Sequence, residues 1–183
     1  MGRKYAIHSS DDVYFLTFTV VNWIDTFTRD EYREIFIESM VYCQKNKGLE
    51  VFAYCIMTNH VHLVIRAKEG FELSDIVRDL KSFTSRHIRK AIEQNDKESR
   101  REWMLWMFGR AGKKNYRNKD FQFWLQHSHP VALTTQEMLH QRINYTHQNP
   151  VRAGFVAEAH HWIWSSARAY AEIEKGKVDL TMV

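Results

Sequence analysis

Two groups of residues in this 183-residue sequence have the types and spacing for chemistry, and the first is His60-Val61-His62. On a strand, side chains alternate faces, so His60, His62 and Val64 would share one face and Val61, Leu63 and Ile65 the other. The second trio is apolar and suits a core, which turns the histidines toward a helix or an open cleft. Two residues of strand advance about 6.6 Å, a separation at which two imidazoles can converge on one divalent ion. A structural zinc site would want four ligands, and the two cysteines, Cys43 and Cys55, form no Cys-x-x-Cys pair to complete one. An open, catalytic site is therefore the better form of a metal hypothesis. Its competitor is a pair of half-buried, hydrogen-bonded histidines.

The second group is Asn144-Tyr-Thr-His-Gln-Asn-Pro150. On a helix, Tyr145 and Asn149 lie four residues apart on one face. The Asn149 amide oxygen could be a hard-metal ligand, with Tyr145 beside the same ion. A phenol oxygen that attacks a DNA phosphodiester makes a covalent phosphotyrosine and frees a sugar hydroxyl; a second hydroxyl can later reverse the link without ATP. Free tyrosine has a pKa of about 10 and is a weak nucleophile at neutral pH. A divalent ion on the phosphate oxygens compensates by withdrawing charge and fixing an in-line geometry. The alternative is a core or interface tyrosine followed by a helix stop at Asn149-Pro150.

The elements that must position these residues follow from periodicity. Val13–Val21 is rich in β-branched and aromatic residues and reads as a strand. A helix over Arg29–Lys47 is stopped by Gly48. Leu49–Met57 and His60–Arg66 are strands around a Thr58-Asn59 turn and should pair as a hairpin. Leu73–Ile92 carries an apolar stripe of Leu73, Ile76, Val77, Leu80, Phe83, Ile88 and Ile92. A charged stretch, the aromatic-rich Trp103–Phe108 and a basic loop lead to a strand over Phe121–Gln126. A last helix starts at Thr134, with Glu137 in the pattern of a capping box, and Pro150 predicts its end near Asn149. The order β-α-β-β-α-β-α indicates an α+β fold with helices against an antiparallel sheet.

Two prolines, seven glycines and 44% hydrophobic residues exclude a low-complexity or disordered chain and suit one domain. No apolar run is long enough for a signal peptide or a membrane span, so a cytoplasmic protein with reduced thiols is expected. Lys and Arg total 26 against 22 Asp and Glu, a net charge of +4, which permits an anionic partner. The positive charge gathers in two runs: Lys81, Arg86, Arg89 and Lys90, then Arg110, Lys113, Lys114, Arg117 and Lys119. They read either as solvated surface or as phosphate-contacting surface.

Met57-Thr-Asn-His-Val-His-Leu-Val-Ile65, with the following Lys81-Ser-Phe-Thr, resembles the paired-histidine (HUH) region of the single-tyrosine transposases. Ile143-Asn-Tyr-Thr-His-Gln-Asn-Pro-Val-Arg-Ala-Gly-Phe-Val156 resembles their tyrosine segment. Within that family the chain is most similar to the branch associated with repetitive extragenic palindromes (REP), which Trp162–Tyr170 also resembles. The resemblance runs from about Tyr14 to Tyr170, leaving a C-terminal tail. It implies a ferredoxin-like domain that uses Mg²⁺ or Mn²⁺ to cut single-stranded DNA beside hairpins, through a 5′-phosphotyrosine intermediate. His60 and His62 match the family's metal ligands and Tyr145 its nucleophile, with Tyr116 and Tyr170 as distant rivals. Asn149 stands at the third ligand position; much of the family has glutamine there, and Gln148 lies one residue earlier. The basic runs become candidate DNA contacts, and Tyr116, Phe121 and Phe123 candidate platforms for unpaired bases. Trp103, Trp106, Phe123 and Trp124 read more readily as core. Family members are often homodimers, sometimes with the tyrosine helix acting across the interface, while the palindrome-associated branch includes monomers. Three competing functions are a non-catalytic hairpin-binding protein on the same fold, a replication-initiator or relaxase nuclease, and a metal-dependent hydrolase of small molecules. Intact His60, His62 and Tyr145 speak against the first, the short chain against the second, and the tyrosine and basic runs against the third.

Overall fold

The structure, a computed structural model, describes residue 7 and residues 12–115 and 120–183. Four antiparallel strands form one sheet: β1 (Val13–Thr19), β2 (Leu49–Ile56), β3 (His60–Ala67) and β4 (Val131–Leu133), in the order β2-β3-β1-β4. With α1 (Asp30–Lys47) and α2 (Leu73–Gln94) interposed, this is the βαββαβ ferredoxin-like topology. A third helix, α3 (Arg101–Lys113), lies between α2 and β4; α4 (Gln136–Arg152) and the short α5 (Ala167–Tyr170) follow.

The sheet separates two apolar clusters. Leu16, Phe18, Val61, Leu63 and Ile65 face α1 and α2, and the α3 residues Met104 and Phe108 join that side. Phe15, Phe52, Ala53 and Val64 face α4 through its Leu139 and Ile143. Alternation along the strands thus divides β1 and β3 between two cores, and a bulge between Val51 and Ala53 turns both Phe52 and Ala53 toward α4. Gly48 caps α1 with a left-handed φ of 65°, and a Cβ there would run into the Phe71 ring, so only glycine suits the position.

Four sequence expectations change. Phe121–Gln126 is not a strand of the sheet; it touches the end of β1 through one bridge, Val20 to Trp124, while β4 pairs with the start of β1. Between the two lie His129, with a φ of 44°, and Pro130, which has no N–H to give, so the partner of β1 is broken in two. Part of the expected basic loop is helical, because Met104, Phe108 and Gly112 recur every four residues and bury α3. Helix α4 passes through Pro150 to Arg152: the Ala153 N–H still reaches the Asn149 carbonyl at 3.0 Å, and the proline ring is buried. Phe83, placed on the apolar stripe of α2, is 44% exposed.

The outer edge of β2 is covered by the end of the chain. Ser165 bridges to Cys55, the Ile56 N–H donates to the Trp164 carbonyl, and the Thr181 N–H donates to the Val51 carbonyl. Residues after 170 therefore pack onto the sheet, with Val178 buried. No helix among the described residues is long and apolar enough to cross a membrane.

Candidate active site

His62 sits opposite Thr17 in the β1–β3 register, and His60 opposite Thr19. The His62 ring is only 4% exposed and stacks on Phe15. Its two nitrogens have different partners: Nδ1 is 2.9 Å from the Thr17 hydroxyl, and Nε2 is 2.9 Å from Asn149 Nδ2. An amide N–H that donates to Nε2 requires a lone pair there, which puts the ring proton on Nδ1, facing Thr17. His60 is oriented from its own turn. Asn59 Nδ2 donates to Asp25 at 3.1 Å and to the Trp23 carbonyl at 3.4 Å, so Asn59 Oδ1 accepts from His60 Nδ1 at 2.7 Å. Its Nε2 also keeps a lone pair. The two rings are 4.7 Å apart. Burial, with His60 and Arg142 adding to it, pushes His62 down to about 3, and burial lowers His60 against the opposing pull of Asn149. Both imidazoles are neutral donors at physiological pH.

Tyr145 reaches this pair from α4. Thr135 caps the helix by accepting the Met138 N–H at 3.2 Å, and Leu139 and Ile143 fix its rotation against Phe15 and Val64. The half-buried Tyr145 ring then meets His62 edge-on at 5.4 Å and Phe15 at 5.7 Å. The Arg142 and Arg152 guanidiniums lie 5.7 and 5.4 Å from the centre of the tyrosine ring. Neither arginine belongs to the basic runs, yet helical spacing carried the signal, since they stand three residues before and seven after Tyr145. His60, His62, Tyr145 and Asn149 are thus brought together, and Asn149 is the amide held against His62.

The basic runs are not at this place. Helices α2 and α3 cover the sheet face opposite α4, so Arg86, Arg89, Lys90, Arg110 and Lys113, with Lys114 just past α3, are separated from Tyr145 by the sheet. Lys81 is engaged within the fold: its ammonium donates to the carbonyls of Leu125 and Gln126 and to Ser128 Oγ, and burial pushes its pKa down to about 8. Lys81 thus clamps the 125–128 loop to α2. Arg89 pairs with Glu93 and covers Phe121, and Arg110 covers Trp106. Phe123 is buried and offers no stacking face, whereas Trp103 and Trp106, read as core, are about half exposed. Tyr116, Arg117 and Lys119 lie outside the described residues. Tyr170 is the rival that can be placed: its hydroxyl donates to the Phe52 carbonyl at 2.9 Å, a structural bond. Sequence reasoning also passed over Glu158, His160 and His161, three surface groups whose donor atoms lie within 4.8 Å of one another and could hold a metal ion.

No curated protein matches the chain. Over its whole length the chain is similar to a solved structure of a REP-associated tyrosine transposase bound to a REP hairpin, with 13% identity, a TM-score of 0.67 and 99% of that chain covered. A transposase structure from Deinococcus radiodurans R1 is similar over 79% of this chain and 92% of its own, at 19% identity and a TM-score of 0.44. The model of the family described as "Transposase IS200 like" matches residues 13–109, a span that holds both histidines and ends before Tyr145. With more than half of its length matched, the chain belongs to the IS200-like transposase family.

Proposed function

We propose that this transposase is a metal-dependent endonuclease and strand transferase for single-stranded DNA beside hairpins, with Tyr145 as nucleophile. The observation that carries this reading is the Tyr145 ring lying against His62 while Asn149 meets the same imidazole at Nε2.

The residues fit a divalent ion. His60 and His62 each present a neutral Nε2, each has its Nδ1 engaged by a neighbour that fixes the ring, and Asn149 adds an amide. This mixed nitrogen and oxygen set leaves positions open for phosphate oxygens, as a catalytic site requires. Bound there, Mg²⁺ or Mn²⁺ would withdraw charge from the phosphate oxygens. The chain's own groups do the rest. Tyr145 Oη attacks phosphorus and loses its proton to solvent; the bond from phosphorus to the 3′ oxygen breaks, and that oxygen leaves as a hydroxyl after taking up a proton. The 5′ phosphate stays on the tyrosine until another 3′ hydroxyl displaces it. Arg142 and Arg152 flank the ring and favour the incoming phosphate. Hairpin DNA is the substrate class favoured by the REP hairpin bound to the similar transposase.

The test incubates the purified chain and Tyr145→Phe with labelled single-stranded hairpin DNA from beside its gene, with Mg²⁺ or Mn²⁺. A covalent protein–DNA adduct that needs the metal and is absent from Tyr145→Phe is expected. Binding without adduct, across several hairpins and both ions, would replace this reading with a non-catalytic hairpin-binding protein.

A further inference from the structure

The polypeptide leaves β1 through a 3₁₀ turn, Val21–Trp23, that is backbone-strained. Asn22 and Trp23 both adopt left-handed φ values, 56° and 54°, although neither is glycine. Side chains with a Cβ disfavour this region, and two such residues in succession persist only where surrounding contacts impose them. Those contacts are present. Asn59 Nδ2 donates to the Trp23 carbonyl and to the Asp25 carboxylate, which also accepts from the Thr58 hydroxyl at 2.6 Å. Arg100 donates to the Asp25 carbonyl at 2.8 Å, and the Phe27 N–H donates to the Thr58 carbonyl at 2.7 Å. The loop is thereby tied to the turn that carries His60.

What this arrangement presents is a tryptophan in solvent. Trp23 is 64% exposed, the most exposed of the large hydrophobic side chains among the described residues. Its ring lies 6.2 Å from His60, the first step of a row of rings that continues from His60 to His62 at 4.7 Å and from His62 to Tyr145 at 5.4 Å. The opposite end of that row carries Arg142 and Arg152, groups suited to phosphate. A rigid, flat, exposed indole beside the reacting centre suits the π-face of an unpaired base, which any of the four bases offers.

We infer that Trp23 is a stacking platform for an unpaired DNA base adjoining the phosphate that Tyr145 attacks. The inference rests on the proposed nuclease function and adds to it the subsite that holds the single strand in register. The hydrogen bonds of the loop hold the Trp23 backbone in place before DNA arrives, so little backbone order is lost on binding.

The experiment measures binding of a fluorescent hairpin oligonucleotide with a single-stranded flank, by anisotropy, with the full chain in the Tyr145→Phe background. The flank is intact or carries one abasic site at each position in turn. Trp23→Ala and Trp23→Leu are compared with Trp23→Phe; the side chain is exposed, and equal melting temperatures verify the fold. One abasic position should weaken binding by about tenfold when residue 23 is aromatic. The same position should cost nothing further in Trp23→Ala or Trp23→Leu, which already bind intact DNA about tenfold more weakly. Unchanged affinity in Trp23→Ala, or an abasic penalty that persists there, overturns the stacking role. Adduct formation by the same variants with Tyr145 present separates the two proposals. Adduct with no dependence on residue 23 removes only the stacking platform, whereas no adduct with any DNA from the chain with both Trp23 and Tyr145 intact removes the nuclease reading.

Discussion

The Thr17 hydroxyl does for His62 what Asn59 does for His60: it accepts the Nδ1–H hydrogen bond and leaves Nε2 facing the site. Orienting partners of this kind commonly govern metal affinity by about 10- to 100-fold. Thr17→Val keeps the shape and the strand preference while removing the acceptor. It should therefore raise the divalent-ion concentration needed for half-maximal adduct formation by about that factor, with a lower melting temperature because the buried Nδ1–H loses its acceptor. An unchanged metal titration would show that Thr17 does not orient the ring. The histidines, Tyr145 and Asn149 could be read from the chain because their spacing is local: two residues on a strand, four on a helix. Thr17 could not, because its partnership is set by cross-strand register over 45 residues of separation. Trp23 was hidden as well: Asn22 is a residue that tolerates the left-handed region, but the ties that hold the turn come from Asn59 and Arg100, distant in sequence.

At the scale of elements, α4 is held to the sheet by a polar knot as well as by its apolar face. Ser166 accepts the Tyr54 N–H at 2.9 Å and lies 2.7 Å from His147 Nε2, while the His147 ring packs against Tyr170. Burial pushes His147 down to about 4, so the unfolded chain, with an ordinary histidine near 6.5, takes up the proton first. The stability His147 contributes is complete above about pH 6.5 and is lost as the pH falls toward 4, by about 3 kcal/mol, and His62 acts in the same direction. His147→Gln can still bond to Ser166 but does not titrate over this range. Denaturant unfolding between pH 7 and 4 should give a shallower loss of stability in that variant; equal slopes would mean that another group governs acid unfolding. The strands and helices around both motifs were legible from periodicity. Helix α3 was not, because a glycine stands in its buried row and exposed tryptophans break its amphipathic pattern. The fourth strand was misplaced because Phe121–Gln126 has the composition of a strand but not the sheet pairing of β4.

For the whole molecule, the decisive relation is that Tyr145 packs against His62 of its own chain. On the proposed mechanism the tyrosine and both histidines act in cis. A mixture of His62→Ala with Tyr145→Phe, each inactive alone, should stay inactive; restored adduct would mean that the tyrosine helix serves a partner's histidines. The division of the molecule by its sheet also bears on DNA. Arg142 and Arg152 provide positive charge at the site, while the cations of α2 and α3 occupy the other face and could meet only a strand that wraps around an edge.

The covering of β2 has a temporal side. The groups that close its edge come from far along the chain, Ser166 being 112 residues from Tyr54 and Tyr170 118 residues from Phe52. During synthesis, β2 and its hairpin partner emerge long before the segment that seals them, and contacts of such separation form late in folding. Until then the growing polypeptide carries an open strand edge, a template for association with neighbouring chains. The helix bearing Tyr145 is anchored by the same late residues, so its packing against the sheet is completed only after residues 166–170 have emerged.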